Sequence, residues 1–388
     1  MSPAPTTAIP LNTTLHIPPA GFAELARAVH GSGVVDNLFM WDQMTNFWPP
    51  HLWTPEHAPM AAVFPDLDSY ADAFAMGAYA LAAAPEAGLA VSTDAIRRGP
   101  AELNQTMWTL AAMAGGDAIF QIGAGEFKQT RPFGWKRSEG LARLEDQLKL
   151  FHAFWESREP VDYEGNHWTM RRAWLGRARV KRPQVWALGG GPKLLDLATS
   201  YADGFAAISP CVFDTPEAFA AAVASLKEDL ERKGRDPEAF GFGLWFMNAI
   251  HEDRDVLDRA FDGALMKWMA ANFGRLDNSR WAELGITSVF PDDWHYSVKL
   301  RPIDVTEAEA ADVLARTPRA LVDASFSHGT PEEVAADVQG YIDAGCTYVS
   351  ICDVLPICLE PEDAQGAIAR SIEVCARIKQ HATAGVPA

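Results

Sequence analysis

Two kinds of hydrophobic pattern alternate along the 388-residue chain. Short, nearly continuous apolar runs end in Gly, Asp or Glu. Between them lie longer stretches in which apolar residues recur three and four positions apart. The first kind reads as strands buried on both faces, the second as amphipathic helices. Strands are expected at 13–17, 34–41, 88–92, 118–122, 184–188, 205–209, 242–250 and 347–352. Helices are expected at 20–30, 69–84, 100–114, 138–155, 215–233 and 362–378, with others ending at Tyr201 and starting at Pro331. Leu141, Leu144, Leu148 and Phe151 show the helical rhythm. Thr330, Pro331 and Glu333 form an N-cap, first-turn proline and capping-box partner. Strand and helix alternating eight times predict an α/β fold, a single (β/α)8 TIM barrel. Residues 1–12, rich in Pro and Thr, are expected to be an arm, and 13–388 the barrel domain. Residues of about 253–326 break the alternation and read as an insertion before the last strand that covers the pocket.

In such a barrel, chemistry is done at the carboxyl ends of the strands. The run 118–122 breaks into Gly123-Ala124-Gly125 and leaves one carboxylate, Glu126; the run 34–41 ends in Asp42-Gln43. The fifth run ends in Gly189-Gly190-Gly191-Pro192-Lys193-Leu194 at the start of a helix. Free N–H groups and the helix dipole there favour an anion. The aromatic loop 44–65 contains Trp48 and Trp53, which either wall a substrate pocket or pack the loop onto the barrel. His51, Glu56 and His57 make an incomplete ligand set, so no metal site is expected. Arg171, Arg172, Arg177, Arg179, Lys181 and Arg182 form either a solvated basic loop or a grip for an acidic ligand.

A formal charge of −18 argues against a nucleic-acid surface. Five cysteines without a CxxC pair read as free thiols of a reducing compartment. The N-terminus lacks a signal-peptide pattern, and the apolar run 73–85 is too short to span a bilayer. A cytoplasmic protein with a small, apolar substrate and no transmembrane segment is the expectation.

Several blocks, in this order and spacing, resemble the bacterial-luciferase-like flavin and deazaflavin oxidoreductases, in particular the branch using coenzyme F420. They are Val91-Ser92-Thr93-Asp94-Ala95-Ile96-Arg97-Arg98-Gly99-Pro100, Gly123-Ala124-Gly125-Glu126, Tyr163-Glu164-Gly165, Gly190-Gly191-Pro192 with Ala202-Asp203-Gly204-Phe205, and Gly329-Thr330-Pro331-Glu332-Glu333-Val334. The sequence is similar to both the glucose-6-phosphate dehydrogenase and the phthiodiolone ketoreductase-like groups of that branch. The resemblance implies hydride transfer between the deazaflavin and a carbonyl, an alcohol or an activated alkene, in a homodimer. An FMN-dependent monooxygenase and a non-catalytic cofactor-binding barrel are the rival readings. It further implies that Ala90-Val91 forms a bulge with a non-proline cis peptide behind the ring, a feature costing about 3–4 kcal/mol. Thr93 falls where a side chain touches the ring, and Gly190 to Leu194 fall on the phosphate-binding turn. Glu126 matches the active-site carboxylate, expected in an apolar, Trp-rich surround, and Asp42 the acidic residue after strand two. The basic run 171–182, or Arg97 and Arg98, would hold an acidic cofactor tail. Two positions depart from the family. Its usual histidine is Gln43 here, which cannot act as a general acid at neutral pH, so Glu126 or a loop residue such as His51 takes that role. The lysine that grips a sugar phosphate falls on Cys211, which argues against a phosphosugar.

Overall fold

The computed structural model describes residues 4–11 and 13–384. Eight parallel strands close on themselves: β1 (Thr6–Pro10), β2 (Asn37–Trp41), β3 (Gly88–Asp94), β4 (Ala118–Gly123), β5 (Gln184–Leu188), β6 (Gly204–Ser209), β7 (Gly241–Ile250) and β8 (Tyr348–Asp353). The ring shuts where β1 pairs with β2 on one side, Ala8 opposite Asn37, and with β8 on the other, Thr7 opposite Val349. A short strand, Ser327–Gly329, adds to the end of β7. The helices around the ring are α1 (Pro19–Gly31), α2 (Ala73–Ala83), α3 (Pro100–Met113), α4 (Gly140–Glu156), α5 (Pro192–Tyr201), α6 (Pro216–Arg232), α7 (Pro331–Asp343) and α8 (Ala367–Ala384).

The first strand corrects the sequence reading. It lies at Thr6–Pro10, within the expected arm, whereas Thr14 only makes an isolated bridge to Tyr70. Thr-Thr-Ala-Ile-Pro carries little apolar bulk, and partners distant in sequence bury it: Thr7 donates to the Val34 carbonyl at 2.6 Å. The remaining arm positions 1–3 and 12 lie outside the described residues.

Strand residues alternate between two cores, as a pleated barrel requires. Val91, Phe120 and Leu244 face the helices, where Leu144, Leu148 and Phe151 of α4 also pack. Ala90, Ile119, Trp186 and Trp245 face the interior. Trp186 explains three glycines in the neighbouring strands. A Cβ at Gly204, Gly241 or Gly243 would come within 2.7, 2.1 and 2.7 Å of its indole.

The insertion contains helices Arg254–Asp262, Ala264–Phe273, Glu307–Arg316 and Arg319–Asp323. It locks onto the aromatic loop by reciprocal indole bonds: Trp48 donates to the Leu265 carbonyl at 2.9 Å and Trp268 to that of Phe47 at 2.8 Å. Arg275 and Arg280 tie it to Asp214 beyond β6, at 3.4 and 3.0 Å. The capping box at Thr330 and Glu333 opens α7 as expected.

The basic run is part of the scaffold. Arg171 pairs with Glu164, Arg177 with Glu159 and Arg182 with Asp203. The Arg172 N–H donates to Asp162. Arg179 donates to the Trp155 carbonyl at the end of α4, and Lys181 to that of Ala114 at the end of α3. Cations favour those helix ends because unpaired carbonyls collect there.

Candidate active site

Two cavities open at the carboxyl end of the barrel. A cleft of about 550 Å³ lies over the ends of β2 to β6, lined among others by Asp42, Thr93, Glu126, the Gly189–Gly191 turn and Lys193. A chamber of about 380 Å³ lies between β7, β8, β1 and β2, where Ile9, Leu11, Phe47, Trp48, Met247 and Met269 make it mostly apolar. Gln43, Glu126, Ile208 and Trp245 line both. The two spaces therefore meet at one wall, and Glu126 is its one ionisable side chain.

The floor of the cleft is a closed charge network. Thr93 donates its hydroxyl to Asp42 at 2.6 Å, and Arg97 bridges Asp42 at 3.0 Å while also pairing with Asp94. Asp94 accepts the N–H groups of Ile96 and Arg97, which shapes the turn after β3. Burial opposes the charge on Arg97, but Asp94 and Asp42 outweigh it and raise its pKa. With its carboxylate so committed, Asp42 serves as an anchor. Arg97 lines the cleft, and Arg98 pairs with Asp72 at 2.6 Å.

Glu126 projects from the glycine turn after β4, where Gly125 takes a φ of 82°. Beside the apolar chamber it faces with Trp41, Trp48 and Trp245, it has a cation: Lys128 Nζ lies 3.0 Å from its Oε2. Lys128 is itself 1 % exposed, donates to the Thr45 carbonyl at 2.9 Å and sits 4.0 Å over the Phe47 ring. Burial lowers its pKa, and Glu126 opposes that shift. Gln129 accepts the Met44 N–H at 2.7 Å, so residues 127–130 clamp the start of the aromatic loop against the glutamate.

The glycine turn presents backbone to the cleft. Gly189, at a φ of 138°, donates to the Ala206 carbonyl at 2.8 Å, and Gly191 caps α5. Among the described residues the N–H groups of Gly190 and Gly191 have no backbone acceptor. Pro192 and Lys193 are exposed at the rim, and Leu194 packs inward.

Other expectations are corrected. Ala90 and Val91 line neither cavity, and their peptide is trans: among the described residues the cis bond is Ser209–Pro210. β3 pairs in unbroken register with both neighbours through this point, which leaves no bulge. Trp48 lines the chamber, but Trp53 donates to the Phe64 carbonyl at 2.6 Å and packs the loop. His51 lines neither cavity, and neither does Cys211, whose thiol burial pushes up to about 12. None of the six basic residues of 171–182 reaches either space.

The sequence reading missed Lys128, Arg137, His295 and Tyr296 as site residues. Arg137 lines the cleft, where burial lowers its pKa against the pull of Glu126 and Asp94. His295 and Tyr296 come from the insertion and roof the same space. A histidine inside an expected cover was the one available signal.

The chain is thus a closed (β/α)8 barrel with a glycine-rich cleft and an adjoining apolar chamber at one end. The chain belongs to the luciferase-like monooxygenase family, whose sequence profile matches residues 50–348, and this places it among oxidoreductases. It is 28 % identical over 323 residues to a phthiodiolone/phenolphthiodiolone dimycocerosates ketoreductase of Mycobacterium kansasii, covering 81 % of this chain and 86 % of that one. It is 26 % identical over 266 residues to an F420-dependent glucose-6-phosphate dehydrogenase of Kineococcus radiotolerans, covering 68 % and 70 %. Its fold matches an F420-dependent secondary alcohol dehydrogenase in complex with an F420-acetone adduct, at a TM-score of 0.70 and 18 % identity over 96 % of this chain and 99 % of that one. Among the described residues, no helix is long and apolar enough to cross a membrane.

Proposed function

We propose that this oxidoreductase uses coenzyme F420 to interconvert a carbonyl and an alcohol on an otherwise apolar small molecule. The observation that supports it most is the wall shared by cleft and chamber, with Glu126 as its single ionisable group. The cleft fits a deazaflavin with an anionic tail. Its volume suits a tricyclic ring, Gly190 and Gly191 offer N–H groups without backbone acceptors, and Arg137 lines it without a carboxylate partner among the described residues. The Gly189–Gly191 turn, Lys193 and the N-terminus of α5 would hold the phosphate. Asp42, fixed by Arg97 and Thr93, would back the ring. When bound, the deazaflavin supplies or accepts the hydride.

The residues of the chain do the rest. The chamber excludes water and brings the reacting carbon to the wall. The Gln43 amide donates to the carbonyl oxygen, and Glu126 passes a proton drawn from the Lys128 ammonium, 3.0 Å away, to the developing alkoxide, or takes one from the alcohol in reverse. Lys128 also orients the Glu126 carboxylate by its ion pair. The ketoreductase and F420-dependent dehydrogenase relatives support the same reaction class.

Side-by-side titration of the purified protein with F420 and with FMN, followed by absorbance, tests the reading. F420 is expected to bind and, once reduced, to be oxidised by long-chain ketones. Binding of FMN with no binding of F420 would overturn it in favour of a flavin monooxygenase.

A further inference from the structure

We propose that His295 and Arg137 form a subsite in the roof of the cleft that binds a carbonyl or anionic oxygen of the bound cofactor. This rests on the reading of the cleft as the cofactor site. The evidence is in the bonding of the imidazole. Nδ1 of His295 accepts the backbone N–H of Ser297 at 3.0 Å and lies 2.7 Å from the Ser297 hydroxyl. A backbone N–H can only donate, so Nδ1 is an acceptor and the ring proton sits on Nε2. Ser297 thus fixes one tautomer and leaves one N–H on the ring. Among the described residues Nε2 has no partner, and it is not among the sealed polar atoms of the residues lining the cleft.

The ring is also kept neutral. Burial, with the nearby Arg137 guanidinium, pushes His295 down to about 4. Nε2–H is then a donor that adds no second cation beside Arg137. Arg137 lines the cleft and pairs with no carboxylate among the described residues. The acidic groups of the cleft are already engaged: Asp42 and Asp94 by Arg97, and Glu126 by Lys128. This part of the cleft thus has donors in excess, and buried donors require acceptors. A ligand oxygen placed beneath the roof meets that requirement.

The roof is held firmly enough to select. His295 caps the short helix Tyr296–Lys299 and stacks on Tyr296, with centroids 4.9 Å apart. Tyr296 in turn packs against Phe273 of the insertion at 4.8 Å and Phe47 of the aromatic loop at 5.7 Å. The insertion that the sequence suggested as a cover therefore brings a recognition group to the site.

The test combines spectroscopy with binding. Long-range ¹⁵N correlation of the imidazoles in the full-length, ligand-free protein is expected to show His295 as the Nε2–H tautomer at neutral pH; the Nδ1–H tautomer would overturn the proposal. In titrations with F420, His295→Leu is expected to weaken binding about tenfold or more. His295→Gln, which keeps an N–H donor, should stay within about threefold, and Ser297→Ala should fall between them. Equal affinity of His295→Leu and the wild type, or equal losses in the Leu and Gln variants, would also overturn it. Should His295→Leu fail to fold, the tautomer and the Ser297→Ala titration decide. A wild type that binds neither F420 nor FMN defeats the cofactor reading itself. A wild type that binds F420 with the roof variants unaffected defeats only the subsite.

Discussion

The cleft and the chamber share a wall and meet opposite demands. The cleft keeps Asp42, Asp94, Arg97, Glu126 and Lys128 largely away from water, and these charges are closed into pairs before any ligand arrives. Its glycines remove side chains so that backbone can be offered to an anion. The chamber is shaped by Ile9, Leu11, Met247 and Met269, and Asp353 is the buried carboxyl at its strand ends. A polar ligand needs a frame whose charges are already satisfied, because an unpaired buried charge is costly. An apolar ligand needs mainly space of the right shape. The first demand fixes residue types at fixed spacings, and the second does not.

The sharpest way to break this comparison is at the shared wall. Glu126→Gln is expected to lower turnover by about 10²–10⁴ while F420 affinity stays close to wild type. Steady-state rates beside a binding titration check this, and a loss below about tenfold would place proton transfer elsewhere. Trp245→Ala is expected to merge the two spaces, strand the Gln121 carbonyl that its indole now binds at 2.7 Å, and cost about 3–5 kcal/mol in urea unfolding.

Asp353 probes the chamber alone. Burial raises its pKa from 3.8 to about 7, despite N–H bonds from Leu355 and Ile250 and the pull of Arg370. Between those values the folded protein keeps a proton that the unfolded chain releases. Its contribution to stability therefore falls as pH rises from about 4 to 7 and levels off above that. Asp353→Asn should remove this slope and stabilise the protein at pH 8, by no more than about 4 kcal/mol. Thermal melts across pH read it directly, and an unchanged slope would exclude Asp353 as its source. The smallest effect is expected from Arg171→Ala with Arg172→Ala. F420 affinity and its salt dependence should stay within about twofold, since both residues lie on an exposed antiparallel hairpin, Val161–Glu164 with Thr169–Ala173.

What the sequence disclosed divides in the same way. β5 falls at Gln184–Leu188 as expected, and the other strands from β2 onward differ by only a few residues, because strands buried on both faces are continuous apolar runs. β1 escaped because Thr-Thr-Ala-Ile-Pro becomes a strand only when β2 and β8 flank it. In the cleft, Asp42, Glu126 and the glycine turn stood out because each closes a strand, and Thr93 through the resemblance. Lys128, Arg137 and His295 did not, since their relevance depends on what the chain folds against them. The six basic residues of 171–182 stayed open between two readings for the same reason. A cation that satisfies helix carbonyls, as Arg179 does, looks in sequence like one awaiting a ligand.

The closure at β1 gives the molecule a seam, and the seam has a side. Thr6–Pro10 is stitched between β2 and β8, and Lys379 of α8 fastens the adjoining Pro5 carbonyl at 2.8 Å and Asp36 at 2.6 Å. Ile9, Pro10 and Leu11 at that seam line the chamber and not the cleft. Cleaving or loosening the chain just ahead of α1 would thus unseat the chamber's side of the barrel first. The arc from β2 to β6 that carries the cleft takes no lining residue from it. On the proposed assignment of the two spaces, wear at this one joint would yield a protein that still holds its coenzyme and has lost its grip on what it converts.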